Sequence, residues 1–376
     1  MDARRLTLLL LAACDAGKPV GPPECVDGPH LWVGTADGDV GAFATVVLPD
    51  GTLTDKVSSA TPDHVVQVRG DHAFALLRGS ADALRVYEPG CYADLPREIP
   101  LPERTNAHDV AVAGGLWFVA GWGLDRLLVL DPETEEEVGS VDLSAFDKGY
   151  PEPDQFAQAG GGLYVALQAL DLGQSPVAAG EGQIVAIDPG SLTVSSAIPI
   201  GPNPKLFEHP ADPTRLVVLT GRYSLGDVPP DGALVLLDPV TGTSDVVATE
   251  VAPGAEDLSI GAFALDLSDY AEVDGIGVVV GVGYADGSAT RILCHDWVTG
   301  AWTAGPVLES FVIDAVAAEG FVWLAAQAGV VPDALPGLFQ LDPRTCTETG
   351  GPWLDTALEP YSLAYFVPAP DSSGQP

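Results

Sequence analysis

Apolar residues in this chain come in short runs broken by polar turns, and helical spacing is nearly absent. Leu116-Trp117-Phe118-Val119-Ala120, Leu163-Tyr164-Val165-Ala166-Leu167, Leu216-Val217-Val218-Leu219, Gly277-Val278-Val279-Val280 and Phe321-Val322-Trp323-Leu324-Ala325 are such runs. Their length and their β-branched and aromatic content predict strands. Each is followed by another apolar run that ends on an acidic residue and a polar turn. The clearest are Leu127–Glu137 (LLVLDPETEEE), Ile184–Val194 (IVAIDPGSLTV), Val235–Asp245 (VLLDPVTGTSD) and Leu338–Glu348 (LFQLDPRTCTE). Asp-Pro opens a tight turn, because Pro fixes φ and the Asp carboxylate accepts a nearby backbone N–H.

The unit repeats. Weaker copies lie at Leu84–Tyr92 and Ile292–Trp302, and the anchors Glu88, Asp131, Asp188, Asp238, Asp296 and Asp342 are 43 to 58 residues apart. Adding an inner strand to each unit (His64–Val68, Asp109–Val112, Phe156–Ala159, Leu258–Phe263 and Asp314–Ala317) makes four antiparallel strands, a propeller blade. Six blades are complete, over about 61–102, 105–143, 152–201, 203–250, 255–309 and 311–355. Residues 31–58 supply three further strands and Ala357–Val367 a fourth. The expectation is an all-β, seven-bladed β-propeller of four-stranded antiparallel blades. Its ring closes when the C-terminal strand joins the N-terminal ones, which removes free sheet edges.

Leu116–Leu143 and Gln183–Gly201 resemble the YVTN-type β-propeller repeat of exported bacterial proteins: aromatic-apolar strand, Gly turn, apolar strand ending in Leu-Asp or Ile-Asp, then a four-residue turn. The resemblance covers roughly residues 31–367. It implies the fold and an exported setting. It implies no single activity, because function on such a scaffold lives in the site.

Charge narrows the partners. With Asp+Glu 53 against Lys+Arg 16, the net charge is −37, so nonspecific binding of nucleic acid is excluded for want of cations to neutralise phosphate. A charged partner should be cationic. Apolar residues at 47% exclude global disorder.

The N-terminus reads as an address. Arg4-Arg5 precede the apolar run Leu6–Ala13, which is too short to span a bilayer and suits a signal segment. Leu11-Ala12-Ala13-Cys14 resembles a lipobox, with Cys14 the lipidated residue; an ordinary signal peptide cleaved elsewhere is the alternative. The organisation expected is a signal peptide over 1–13, a lipid-anchored Cys and Pro/Gly tether over 14–30, the propeller over 31–367 and a disordered tail over 368–376. The protein is then a monomer facing the periplasm or cell surface, bound to the membrane only through its anchor.

Four cysteines remain. An even number in an exported chain, with no C-x-x-C spacing, favours disulfides over metal thiolates. Of three pairings, the blade arrangement favours Cys25–Cys91 and Cys294–Cys346, each on one face of neighbouring blades.

Candidate chemistry gathers at the mouth where the inner strands begin, here called the top. His64, His108, Asp109, Asp257 and Asp314 form a candidate ligand set for a divalent cation on the axis. The competing reading is that such groups satisfy backbone donors at strand ends. No other cofactor is indicated. A second set lies at the bases of the loops between second and third strands: Arg78, Trp122, Gln168, Arg222, Tyr284 and Gln327. Three of these loops are extended, at Ala169–Glu181, Arg222–Asp231 and Ala328–Pro336. Loops on a rigid scaffold commonly carry recognition. There is no G-x-S-x-G elbow, H-E-x-x-H, P-loop or dinucleotide motif. Only two Asn occur (Asn106 and Asn203), which departs from the Glu/Asn/Asp calcium clusters of propeller lactonases. Three readings stand: a binding or scaffold module acting through the top loops on an envelope protein or small ligand; a metal-dependent, lactonase-like hydrolase or lyase; and a purely structural envelope component.

Overall fold

The computed structural model describes residues 25–79, 81–146, 151–171, 178–221, 232–249, 269–283, 289–328, 336–349 and 354–368. Cys14, the tether up to residue 24 and the tail from residue 369 lie outside them. Seven four-stranded antiparallel sheets follow one another along the chain.

Blade 1 is made by His30–Ala36, Gly41–Val47 and Thr52–Ala60, with Glu359–Phe366 as its inner strand. The closure is direct: Leu31 pairs with Tyr365, Trp32 with Ala364 and Val33 with Leu363. Blade 2 runs from His64–Arg69 to Arg97–Pro100, blade 3 from Ala107–Ala113 to Glu137–Asp142 and blade 4 from Pro153–Ala159 to Thr193–Gly201. Blade 5 runs from Lys205–Glu208 to Thr243–Thr249, blade 6 from Asp269–Val273 to Trp302–Leu308 and blade 7 from Phe311–Ala318 to Thr347–Glu348. In blade 4 the second-to-third-strand loop carries a small hairpin, Leu170–Asp171 against Ala178–Ala179.

One strand differs from expectation. The inner strand of blade 6 is Asp269–Val273, not Leu258–Phe263, which lies outside the described residues. Asp269–Val273 pairs with Ile276–Gly283 across Asp274-Gly275, whose φ values are 51° and 77°. Positive φ at both central residues suits a two-residue hairpin turn, and Asp-Gly is a sequence that supplies it. The mixed polarity of Asp269-Tyr270-Ala271-Glu272-Val273 hides the strand.

The core sits between blades. Phe74 and Leu76 pack towards Trp117, Val119 and Leu128 of blade 3. Ala73, Ala75 and Leu77, on the opposite side of the same strand, pack towards Trp32 and Phe43 of blade 1. The middle strands are continuously apolar because each faces a neighbour on both sides. The Asp-Pro turns behave as expected: Asp131 Oδ1 accepts Glu133 N–H at 2.7 Å, and Asp238 Oδ1 accepts Val240 N–H at 3.0 Å.

Both expected disulfides are present, Cys25–Cys91 and Cys294–Cys346. The first pins the segment before blade 1 to the bottom turn of blade 2, where Val26 N–H also donates to Gly90 O at 2.9 Å. Two disulfides are compatible with an exported protein.

Candidate functional site

The inner strands line a central cavity of about 750 Å³ that extends from Arg78, His108 and Tyr361 at the top to Gly70, Gln158 and Glu208 below. Two layers of polar side chains surround it, and they do different work.

The lower layer is a ring of acceptors. Inner strands carry edge N–H groups with no strand partner, and buried donors need one. At six of the seven blade junctions a side chain of one inner strand accepts an N–H from the next. Ser362 Oγ takes Val66 N–H at 3.0 Å, Gln67 Oε1 takes Val110 N–H at 3.0 Å and Asp109 Oδ2 takes Phe156 N–H at 2.7 Å. Gln155 Oε1 takes Leu206 N–H at 3.1 Å, Asp269 Oδ2 takes Ala315 N–H at 2.6 Å and Asp314 Oδ2 takes Leu363 N–H at 2.6 Å. At the remaining junction the equivalent residue is Lys205, which has no acceptor, and Tyr270 N–H bonds its own Asp269 Oδ1 at 2.8 Å.

The ring's charges differ around the axis. Asp109 is paired with Arg69 at 3.1 Å, yet burial still pushes its carboxyl up. Asp269 and Asp314 converge on one donor, because Ala315 N–H also meets Asp314 Oδ1 at 2.8 Å. Burial and the adjoining Asp269 push Asp314 well above the ordinary carboxylate range.

The upper layer is a connected network across blades 1 to 4. Trp122 Nε1–H donates to Gln168 Oε1 at 2.7 Å, and Gln168 Nε2–H donates to Asp154 Oδ2 at 2.9 Å. The other oxygen of Asp154 accepts His108 Nδ1–H at 2.7 Å, which fixes the tautomer and leaves Nε2 as acceptor. Arg78 Nη1 and Asn106 Nδ2 each stand 3.4 Å from that Nε2. Arg78 also donates through Nε to Asp63 Oδ1 at 2.7 Å and through Nη2 to Tyr361 OH at 2.5 Å. The His108 ring stacks on Trp122 with centroids 4.8 Å apart. Arg78, His108, Asp154 and Gln168 are 6%, 7%, 2% and 1% exposed, so the network is held by the fold.

The two sequence-derived sets are thus redistributed. Arg78, Trp122 and Gln168 join His108 in the upper network, and Gln327 lines the same cavity. Arg222 and Tyr284 lie outside the described residues, as does Asp257. Asp109 and Asp314 belong to the lower ring. His64 belongs to neither layer. Its Nδ1 contacts Thr61 O at 2.7 Å, and its ring packs against Phe43. Burial pulls its imidazole down to about 4. Gly34 makes room for it, because a Cβ there would stand 2.7 Å from His64 Nε2. Among the described residues, the only group of three or more His, Cys, Asp or Glu ligand atoms within 4.8 Å of one another is Cys25, Cys91 and Asp94, and both cysteines are disulfide-bonded. Among the described residues, His64, His108, Asp109 and Asp314 are therefore not gathered into one set.

Asp154 and Tyr361, which the sequence places at the same top mouth but in neither candidate set, complete the site; both immediately precede a ring residue (Gln155, Ser362), as His108 precedes Asp109.

No protein-family model and no curated protein sequence matches the chain. Solved structures do. A putative 6-phosphogluconolactonase from Bacteroides fragilis superposes with a TM-score of 0.60 at 11% identity, over 92% of this chain and 99% of its own. One from Bacteroides uniformis gives 0.60 at 11%, over 91% and 100%. A Kuenenia stuttgartiensis hydrazine synthase chain gives 0.52 at 14%, over 82% and 96%. At such identities the likeness shows the fold alone: a seven-bladed β-propeller with lactonase-like propellers among its structural neighbours.

Proposed function

We propose that this protein is an exported, lipid-anchored propeller of the YVTN-repeat kind that works as a binding module, taking a small ligand at the top mouth of its channel. The observation that carries the reading is the Arg78–His108–Asp154–Gln168–Trp122 network. Four of its side chains are nine-tenths buried and held by one another, and three (Arg78, His108 and Asp154) line a cavity of ligand size. Buried polar groups cost free energy unless paired. A mutually satisfied lattice that opens on a cavity is preorganised for recognition. The lipobox-like segment ending at Cys14 and the two disulfides support export and anchoring.

Native mass spectrometry of the chain, released gently from membranes, tests this. A small molecule retained by the wild type and lost in Arg78→Ala is the expected outcome; bare protein in both sinks the reading. Cys14→Ser should move the protein from membrane to soluble fraction.

A second reading is a lactonase-like hydrolase or lyase. The oriented His108–Asp154 pair favours it, because an imidazole held by a carboxylate beside an Arg is a general-base arrangement. In its metal-dependent form, elemental analysis of purified protein should find one equivalent of a divalent cation that His108→Ala removes.

A further inference from the structure

We infer that the ligand of the top mouth is a neutral polyhydroxylated molecule of the saccharide class. The inference rests on the binding reading above and adds the chemistry of the ligand.

Charge is the first argument. The chain as a whole carries −37, yet each cation on the cavity wall stands by a carboxylate. Arg78 holds Asp63, Arg69 holds Asp109, and the Lys205 charge acts on Asp269. An anion docked on Arg78 would face Asp63 and Asp154. A cation docked on Asp154 would face Arg78, which sits against the imidazole that Asp154 holds. Either ionic class meets a like charge in a low-dielectric site, where such contacts are costly. A neutral ligand meets neither penalty.

Hydrogen-bond chemistry is the second. Asp154 and His108 Nε2 are acceptors, Arg78 and Asn106 are donors, and the Tyr361 hydroxyl is both. They alternate around one mouth. A hydroxyl donates and accepts at once, so vicinal hydroxyls fit such an alternation without leaving a buried group unpaired. The two 3.4 Å contacts onto His108 Nε2 are long for hydrogen bonds. A ligand hydroxyl bridging them would replace both with shorter ones.

Shape is the third. Tyr361 and Trp122 are half-buried, one on the cavity wall and one behind His108. Rigid aromatic surfaces next to planar polar groups suit a ring with one apolar C–H face and a hydroxyl rim. A volume of about 750 Å³ lies within the ordinary range for small-molecule sites.

Calorimetric titration of the full chain tests the inference, with cellobiose, maltose and N,N′-diacetylchitobiose as neutral probes and galacturonate and glucosamine as charged ones. At least one neutral disaccharide should bind with Kd between about 10⁻⁵ and 10⁻³ M. Its affinity should barely change with salt. Tyr361→Phe, which removes one hydroxyl and keeps the ring, should weaken it about five- to tenfold; Gln327→Ala, at the rim, should also weaken it and serves if the first variant does not fold. Tighter binding of galacturonate or glucosamine than of every neutral probe, with the same loss in Tyr361→Phe, would overturn the ligand class and leave the binding module standing. So would failure of all neutral probes while native mass spectrometry still shows a retained molecule. If no probe binds and the protein is bare, both fall.

Discussion

Two buried histidine–carboxylate pairs stand at opposite ends of the channel, and they differ in what surrounds them. At the bottom, His209 Nδ1 bonds Glu272 Oε2 at 2.6 Å. That carboxylate also accepts Tyr270 OH at 2.7 Å and Ala211 N–H at 3.0 Å, and Trp297 Nε1–H donates to Tyr270 at 2.8 Å. Trp297 lies 4.7 Å from the His209 ring. Protein donors and aromatic rings enclose this pair, which ties the turn of blade 5 to blade 6. At the top, His108 and Asp154 make the same bond, but both line the cavity. The comparison teaches that a His–carboxylate pair is a fastener or a site according to what its remaining atoms face.

The largest expected effect breaks the enclosed pair. Glu272→Ala leaves His209, Tyr270 and Ala211 N–H without their acceptor, and should cost about 3–5 kcal/mol of stability, read from urea unfolding. Equal stability to wild type would show the cluster to be passive. Next comes ring closure: Cys91→Ser, with Cys25→Ser, should cost about 2–4 kcal/mol, seen as a lower urea midpoint under non-reducing conditions. His108→Ala should be milder, about 1–2 kcal/mol, because Asp154 keeps Gln168 and has the cavity's water beside it. If His108→Ala destabilises as much as Glu272→Ala, the distinction between fastener and site fails.

The smallest effect concerns the lower ring. Asp269 and Asp314 are both raised above the ordinary carboxylate value. A carboxyl whose folded pKa is raised stabilises the fold fully only below its unfolded pKa. That stability is lost as pH rises from the unfolded value through the raised folded one. Asp314→Asn removes the conflict, so at neutral pH it should be as stable as wild type or more so, by about 1 kcal/mol or less. Its unfolding free energy should also fall less steeply between mildly acidic and neutral pH. A clear loss at neutral pH would mean that the carboxylate is needed charged.

Much of the fold was legible in the chain. The Leu-Asp-Pro and Ile-Asp-Pro turns mark the third strands, because only certain residues open such turns, and their spacing counts the blades. Blade 6 was misread at its inner strand because Asp269 and Glu272 interrupt the apolar pattern for reasons outside that strand: one caps the next blade's N–H, the other receives His209. The site was legible only in part. Arg78, Trp122 and Gln168 stood at equivalent positions after their second strands, which pointed to one mouth. That His108 belonged with them, and His64 did not, was not visible, since both sit at the start of an inner strand beside acidic residues.

Local physics explains that division. Turn chemistry, strand periodicity and cysteine placement act between residues near in sequence or related by a fixed repeat, so the amino-acid order by itself determined an all-β chain of seven blades with two disulfides. Which side chains share a cavity depends on how neighbouring blades rotate about the axis, and on which N–H groups are left over at each inner edge. Only the tertiary structure assigned Asp109 and Asp314 to the ring, His64 to the core beneath Gly34, and His108 with Asp154 to the open mouth. Burial and the partners across a blade junction decide whether a polar side chain is a fastener or a site.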